Sequence, residues 1–183
     1  MDKIKLLKPN YFNTESLVDK DDLKLNLNNN MSLYSINQNY NQRKKFNSTF
    51  KSFFSFSPPI ISHFEKNEKA LVFWVRKNSY FVLGKLDFEN FNNTFKNVSS
   101  ITDQTGGWVY FNLRGKLTKF LFERLLSEDL DRFTSNRVIR TSINKINCFV
   151  FCNVQFLNYK IICPISFCQN MKLRLINLTK LIE

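Results

Sequence analysis

The side chains of this sequence that could do chemistry are four cysteines, one histidine, a cluster of carboxylates and two sets of cations. Cys148, Cys152, Cys163 and Cys168 fall within 21 residues. Separated by 3, 10 and 4 residues, they can be drawn as a zinc ribbon, in which thiolates hold the metal tetrahedrally. The stretch around them alternates as strands do, and neither pair carries the glycine turn of a ribbon. Buried, reduced thiols are expected, and no metal. His63 is the sole histidine and stands near Pro58-Pro59 with no nucleophile pattern beside it. Glu123, Glu128, Asp129 and Asp131 are close enough for paired acid–base work. They alternate with Arg124 and Arg132, however, and read as a solvated, ion-paired face. Only 4 glycines are present, which excludes a glycine-rich phosphate loop. No catalytic residue, cofactor or small-molecule substrate is expected, and the chain reads as a non-enzyme.

The cations are the positive signal. The formal net charge is +12, and residues 106–183 hold six of the eight arginines. A guanidinium grips phosphate with two parallel hydrogen bonds, which a lysine cannot do. Arg114 and Lys116 lie at an expected strand-to-helix junction, where backbone N–H groups also favour phosphate. Arg137 and Arg140 follow the expected helix on a basic, exposed stretch. Nearer the N-terminus, Arg43, Lys44, Lys45 and Lys51 interleave with Phe46, Phe50, Phe53 and Phe54. Cations beside planar rings neutralise phosphates and stack bases, the pairing that single-stranded RNA requires. These eight cations are the candidate RNA-binding residues, contacting phosphate rather than base edges.

The elements that must position them divide at Pro58-Pro59, a pair that forces extended backbone. Residues 1–60 are Asn-rich and show no sustained period, so they read as an extended basic and aromatic arm that orders on a partner. Residues 61–183 read as a compact domain. Ala70–Val75 and Tyr80–Leu86 are β-rich runs around a polar turn, hence a hairpin. Residues 88–100 stay open between a short helix and a loop. Trp108–Leu113 reads as a strand. Leu117, Phe120, Leu121, Leu125, Leu126, Leu130 and Phe133 step by threes and fours, which predicts a helix over 116–133, packed through Leu117, Phe120, Leu121 and Leu125. A second hairpin covers 143–167, turning near Asn158-Tyr159, and Met171, Leu175, Leu178 and Ile182 suggest a C-terminal helix. No internal repeat is legible. The fold class is α+β: a small two-layer antiparallel or mixed sheet with one main helix. No transmembrane segment is expected, since Asn153, Gln155, Asn158, Lys160 and Pro164 interrupt the longest apolar window.

Composition points to a source. Phe, Tyr, Met, Ile, Asn and Lys make up nearly half of the chain, while Gly, Pro, Ala and Arg are scarce. The first set has AT-rich codons and the second GC-rich ones. An extremely AT-rich genome follows, with protist mitochondrial DNA the expected case. The first twenty-five residues hold four Asp, one Glu and no Arg, unlike an import presequence, so synthesis inside the organelle is expected. The profile resembles mitochondrially encoded ribosomal proteins. Within it, Gly107-Trp108-Val109-Tyr110-Phe111-Asn112-Leu113-Arg114-Gly115-Lys116-Leu117 resembles the strand and Gly-Arg-Leu segment of the C-terminal domain of small-subunit ribosomal protein three. The similarity continues through an amphipathic helix and Arg137-Val138 to a closing hairpin, covering 107–167. That resemblance implies a structural constituent of the mitochondrial ribosome, in the matrix, bound to ribosomal RNA and to other mitochondrial ribosomal proteins. The alternative is a peripheral accessory subunit of a mitochondrial respiratory complex or ATP synthase.

Overall fold

A computed structural model describes residues 14–28 and 32–181. Residues 1–13 and 29–31 of the expected arm, and Ile182 of the expected C-terminal helix, lie outside the described residues.

The chain folds as two copies of one topological unit. The first runs β3 (Ser32–Gln38), α1 (Arg43–Phe54), β4 (Phe64–Lys66), β5 (Ala70–Arg76), β6 (Ser79–Gly84), α2 (Phe88–Phe95) and β7 (Ser99–Asp103). The second runs β8 (Trp108–Arg114), α3 (Thr118–Leu125), β9 (Arg137–Ile143), β10 (Ile146–Val154), β11 (Asn158–Pro164) and α4 (Cys168–Thr179). Their sheets have matching strand orders, β4-β5-β6-β3-β7 and β9-β10-β11-β8-β2-β1. The place that β7 takes beside β3 is taken beside β8 by β2 (Leu23–Asn28), which comes from the N-terminal side of the chain. Strand β1 (Glu15–Lys20) closes that edge. Every strand pairing is antiparallel. The α+β class therefore stands, but among the described residues with two sheets and four helices in place of one sheet and one main helix.

Three apolar layers explain the stacking. Leu33, Phe64, Phe73 and Leu83 of the first sheet meet Val138, Phe149, Phe151 and Ile162 of the second, so the sheets pack face to face. On the outer side of the first sheet, Phe46, Phe50, Phe54, Phe91 and Phe95 of α1 and α2 cover Ile36, Val72 and Val82. On the outer side of the second, Leu121, Phe122, Met171, Leu175 and Leu178 of α3 and α4 cover Phe111, Val150 and Ile161. The order is helix, sheet, sheet, helix. Backbone bonds tie the sheet edges together, from Val138 N–H to the Ser62 carbonyl (2.9 Å) and from Phe64 N–H to the Asn136 carbonyl (3.1 Å).

Local chemistry sets the turns. The β9–β10 hairpin turns on Asn144 and Lys145, both at positive φ, as a two-residue turn matched to strand twist requires. Gly115 has φ +126, and a Cβ there would collide with the Asp22 carbonyl in the β1–β2 turn. Only glycine lets the end of β8 pass that close.

Several expectations are corrected. Residues 43–54 are helical, not extended. The fourfold spacing of Phe46, Phe50 and Phe54 puts all three on one helix face, where they are fully buried. Glu15–Lys20, Leu23–Asn28 and Ser32–Gln38 are strands of the two sheets, and Leu23, Leu25 and Leu27 belong to the core. The main helix stops at Leu125. Leu130 and Phe133 are buried all the same, delivered by turns in which the Asp129 carbonyl accepts from Arg132 and Phe133 N–H. Leu121 is fully buried, but Phe120 is 54% exposed. Residues 137–141 belong to β9. The open stretch at 88–100 is resolved as α2 to Phe95, a turn, and the start of β7, with the Asp87 carboxylate accepting from Glu89 N–H at 3.0 Å.

Candidate functional site

Most of the groups singled out for possible chemistry are buried or have local partners. His63 precedes β4, and its Nδ1 lies 2.8 Å from the Ile61 carbonyl of its own turn. Glu123 and Asp131 face Lys119 at 3.8 and 3.9 Å, and Asp129 faces Arg132 at 3.4 Å. All four cysteines are free and buried. Burial pushes the Cys148 thiol up to about 12 and the Cys152 thiol to about 11. Cys163 and Cys168 are raised by the same cause. A thiol so desolvated stays protonated and unreactive at neutral pH. Among the described residues no group of three or more His, Cys, Asp or Glu is arranged to hold a metal.

The eight candidate RNA-binding cations do not converge. Arg43, Lys44, Lys45 and Lys51 are exposed on α1, outside the first sheet. Arg114 and Lys116 lie at the end of β8 in the second. Lys116 pairs with Asp22 at 3.4 Å. Arg137 and Arg140 lie on β9, three places from β8 in the sheet order, or about 14 Å at ordinary strand spacing. Arg140 is exposed, while Arg137 is half-buried and its Nε has no hydrogen-bond partner among the described residues. The alternation of cation and ring in residues 43–54 is a helix periodicity, with Phe46, Phe50 and Phe54 inward and the cations outward.

Two cationic places emerge that the sequence pattern did not group. One joins the sheets. Lys160 lies opposite Asn112 and Arg114 opposite Asn158, all on the inner face of the second sheet. In the hydrogen-bonding orientation of its amide, Asn112 accepts from Arg114 Nε at 2.8 Å and donates to Asn158 Oδ1 at 3.1 Å. Lys160 Nζ sits 5.8 Å from the Tyr110 ring centroid. Burial holds the Lys160 amine below its usual range, and Lys66 and Arg114 lower it further. The other place is a cleft of about 530 Å³ beside the start of α1, with Arg43, Lys77, Trp74 and Tyr80 among its lining. Its far wall, Pro58 to Ile61, is a long-range contact that no local pattern announces.

No family model matches the chain, and no curated protein matches it in sequence. Its fold is similar to that of a chain in the heterotetrameric sarcosine oxidase from Corynebacterium sp. U-96, in complex with pyrrole 2-carboxylate. The TM-score is 0.76 at 12% identity, over 90% of this chain and 87% of that one. The regulatory subunit of aspartate kinase from Thermus thermophilus aligns at a TM-score of 0.46 and 7% identity, over 84% of this chain and 96% of that one. Among the described residues no helix is long and apolar enough to cross a membrane.

Proposed function

We propose that this chain is a non-catalytic subunit of a hetero-oligomeric enzyme of the sarcosine oxidase kind. One observation carries the reading: the shared fold extends over 90% of this chain and 87% of a chain from a heterotetrameric oxidase. Its site chemistry agrees with that role. Glu123, Asp129 and Asp131 are ion-paired, the one histidine bonds its own turn, and the buried thiols are raised out of the reactive range. A subunit of this kind contributes surfaces to an assembly whose chemistry is done by its partners.

A second reading keeps the chain as an RNA-binding constituent of the mitochondrial ribosome. It is favoured by the net charge of +12 and by the exposed Arg43, Lys44, Lys45 and Lys51 along α1, a field that attracts polyanions. The two readings separate on one experiment: sedimentation of the native, tagged chain with and without RNase, with the co-migrating fractions assayed for oxidation of sarcosine. Co-migration with that activity, indifferent to RNase, supports the oxidase reading. Co-migration with a ribosomal subunit, abolished by RNase, supports the second.

A further inference from the structure

The cleft at the start of α1 has a composition unlike the rest of the surface. Trp74 of β5 and Tyr80 of β6 are register partners, so both project from the outer face of the first sheet, and both line the cleft. They continue the buried layer beneath α1, where Phe46 stacks on Tyr80 with centroids 6.0 Å apart, out past the helix end. The opposite wall is Pro58 to Ile61, with Ile60 and Ile61 exposed at 70% and 69%. Arg43 and Lys77, both exposed, bring cations to the lining, and Gln38, Asn47 and Asn78 bring amides. No carboxylate lines the cleft. Arg43 lies close enough to the Tyr80 hydroxyl to oppose the rise that burial causes there. The first turn of α1 carries Arg43, Lys44 and Lys45 with no acidic residue and no capping side chain, so the positive end of the helix adds to the cationic charge around Arg43.

Aromatic side chains in the lining take a planar ring, amides read polar ring edges, and cations with no carboxylate among the described lining residues take an anion. A volume of about 530 Å³ lies in the range of small-ligand sites, roughly 300–1,000 Å³. The geometry points to a nucleotide site, with a purine or pyrimidine stacked on Trp74 and Tyr80 and its phosphate on Arg43 and Lys77. The shared chemistry has two sources, a free mononucleotide or a nucleotide within single-stranded RNA. This site goes beyond the subunit role and does not depend on it.

The chain has two tryptophans, and Trp108 belongs to the layer between the sheets, so Trp74 can report on the cleft alone. The experiment titrates the full chain and its Trp108→Phe variant with AMP, adenosine and a ten-nucleotide single-stranded RNA, reading tryptophan quenching and, for the unaltered chain, calorimetry. Saturable quenching by AMP or RNA is expected, with adenosine at least tenfold weaker. Arg43→Gln combined with Lys77→Gln should weaken phosphate-bearing ligands at least tenfold without unfolding the chain, because both side chains are exposed. Tighter binding of AMP than of the RNA, per site, assigns a free nucleotide, and the reverse assigns a nucleotide within a strand. The proposal is overturned if neither ligand binds saturably, if adenosine binds as well as AMP, or if the double variant binds unchanged. Whether the chain travels with an oxidase is read separately and is not altered by these outcomes.

Discussion

The rings of Phe73 and Phe151 meet edge to face, centroids 4.7 Å apart at 88°, the first from β5 and the second from β10. These strands hold the same place in the two topological units, so the contact joins the units through equivalent positions. Around it Phe64, Phe81 and Phe149 pack edge to face in turn. In a chain with one alanine, phenylalanine fills the space between sheets that smaller side chains fill elsewhere.

Truncating either ring leaves a large void between two sheets that cannot close on it. Phe73→Ala and Phe151→Ala should each cost about 3–5 kcal/mol in urea unfolding. The double variant should cost less than the sum, by about 0.5–1.5 kcal/mol for a coupled aromatic pair. Strict additivity would show that the rings do not share one contact.

Helix α1 belongs to the folded body through Phe46, Phe50 and Phe54. Hydrogen exchange on the isolated chain should find amides 47–54 protected to the same degree as those of β5. Fast exchange there, slowed only on partner binding, would return this segment to an extended arm.

Adjacent residues of α3 should behave oppositely. Leu121→Ala, at a fully buried site, should cost about 2–5 kcal/mol. Phe120→Ala, at a largely exposed one, should change stability by less than about 1 kcal/mol. If Phe120→Ala leaves the free chain stable but weakens assembly, the exposed ring belongs to an interface.

The buried thiols give a pH dependence of defined sign. The Cys148 thiol is raised from 9.0 to about 12 in the folded chain, so above pH 9 the unfolded state has lost a proton that the folded state retains. Its contribution is full below pH 9 and is lost as pH rises from 9 towards 12. Urea midpoints at pH 8 and 10.5 should therefore fall further apart in the unaltered chain than in Cys148→Val. An equal fall in both would place the dependence on other groups. Labelling of all four thiols at pH 8 should follow global unfolding.

The hairpins β5–β6 and β10–β11, strand β8 and helix α4 were legible because each is a run of β-formers or a stretch of helical period bounded by polar turns. Helix α1 was hidden by its own composition, in which the eye follows alternating lysine and phenylalanine before the spacing of four. Strand β2 has the plain alternation Leu23, Leu25, Leu27, but it sits among asparagines that read as unstructured. The twofold repeat could not be read because it lives in strand order rather than in residues: β4 has three residues where β9 has seven, and β2 fills its slot from the other end of the chain. The scattered cations show the limit of composition as a guide. Charge and arginine enrichment described the whole surface, whereas the cleft depends on Trp74, Tyr80 and Pro58 to Ile61 meeting across twenty residues.

The most direct test of the account is the native mass of the assembly that holds this 21.8 kDa chain. A tagged chain isolated from its own cells should run in gel filtration with fixed stoichiometry alongside larger oxidoreductase subunits, at a position that RNase does not move. A chain that runs with a ribosomal subunit and is released by RNase would contradict it.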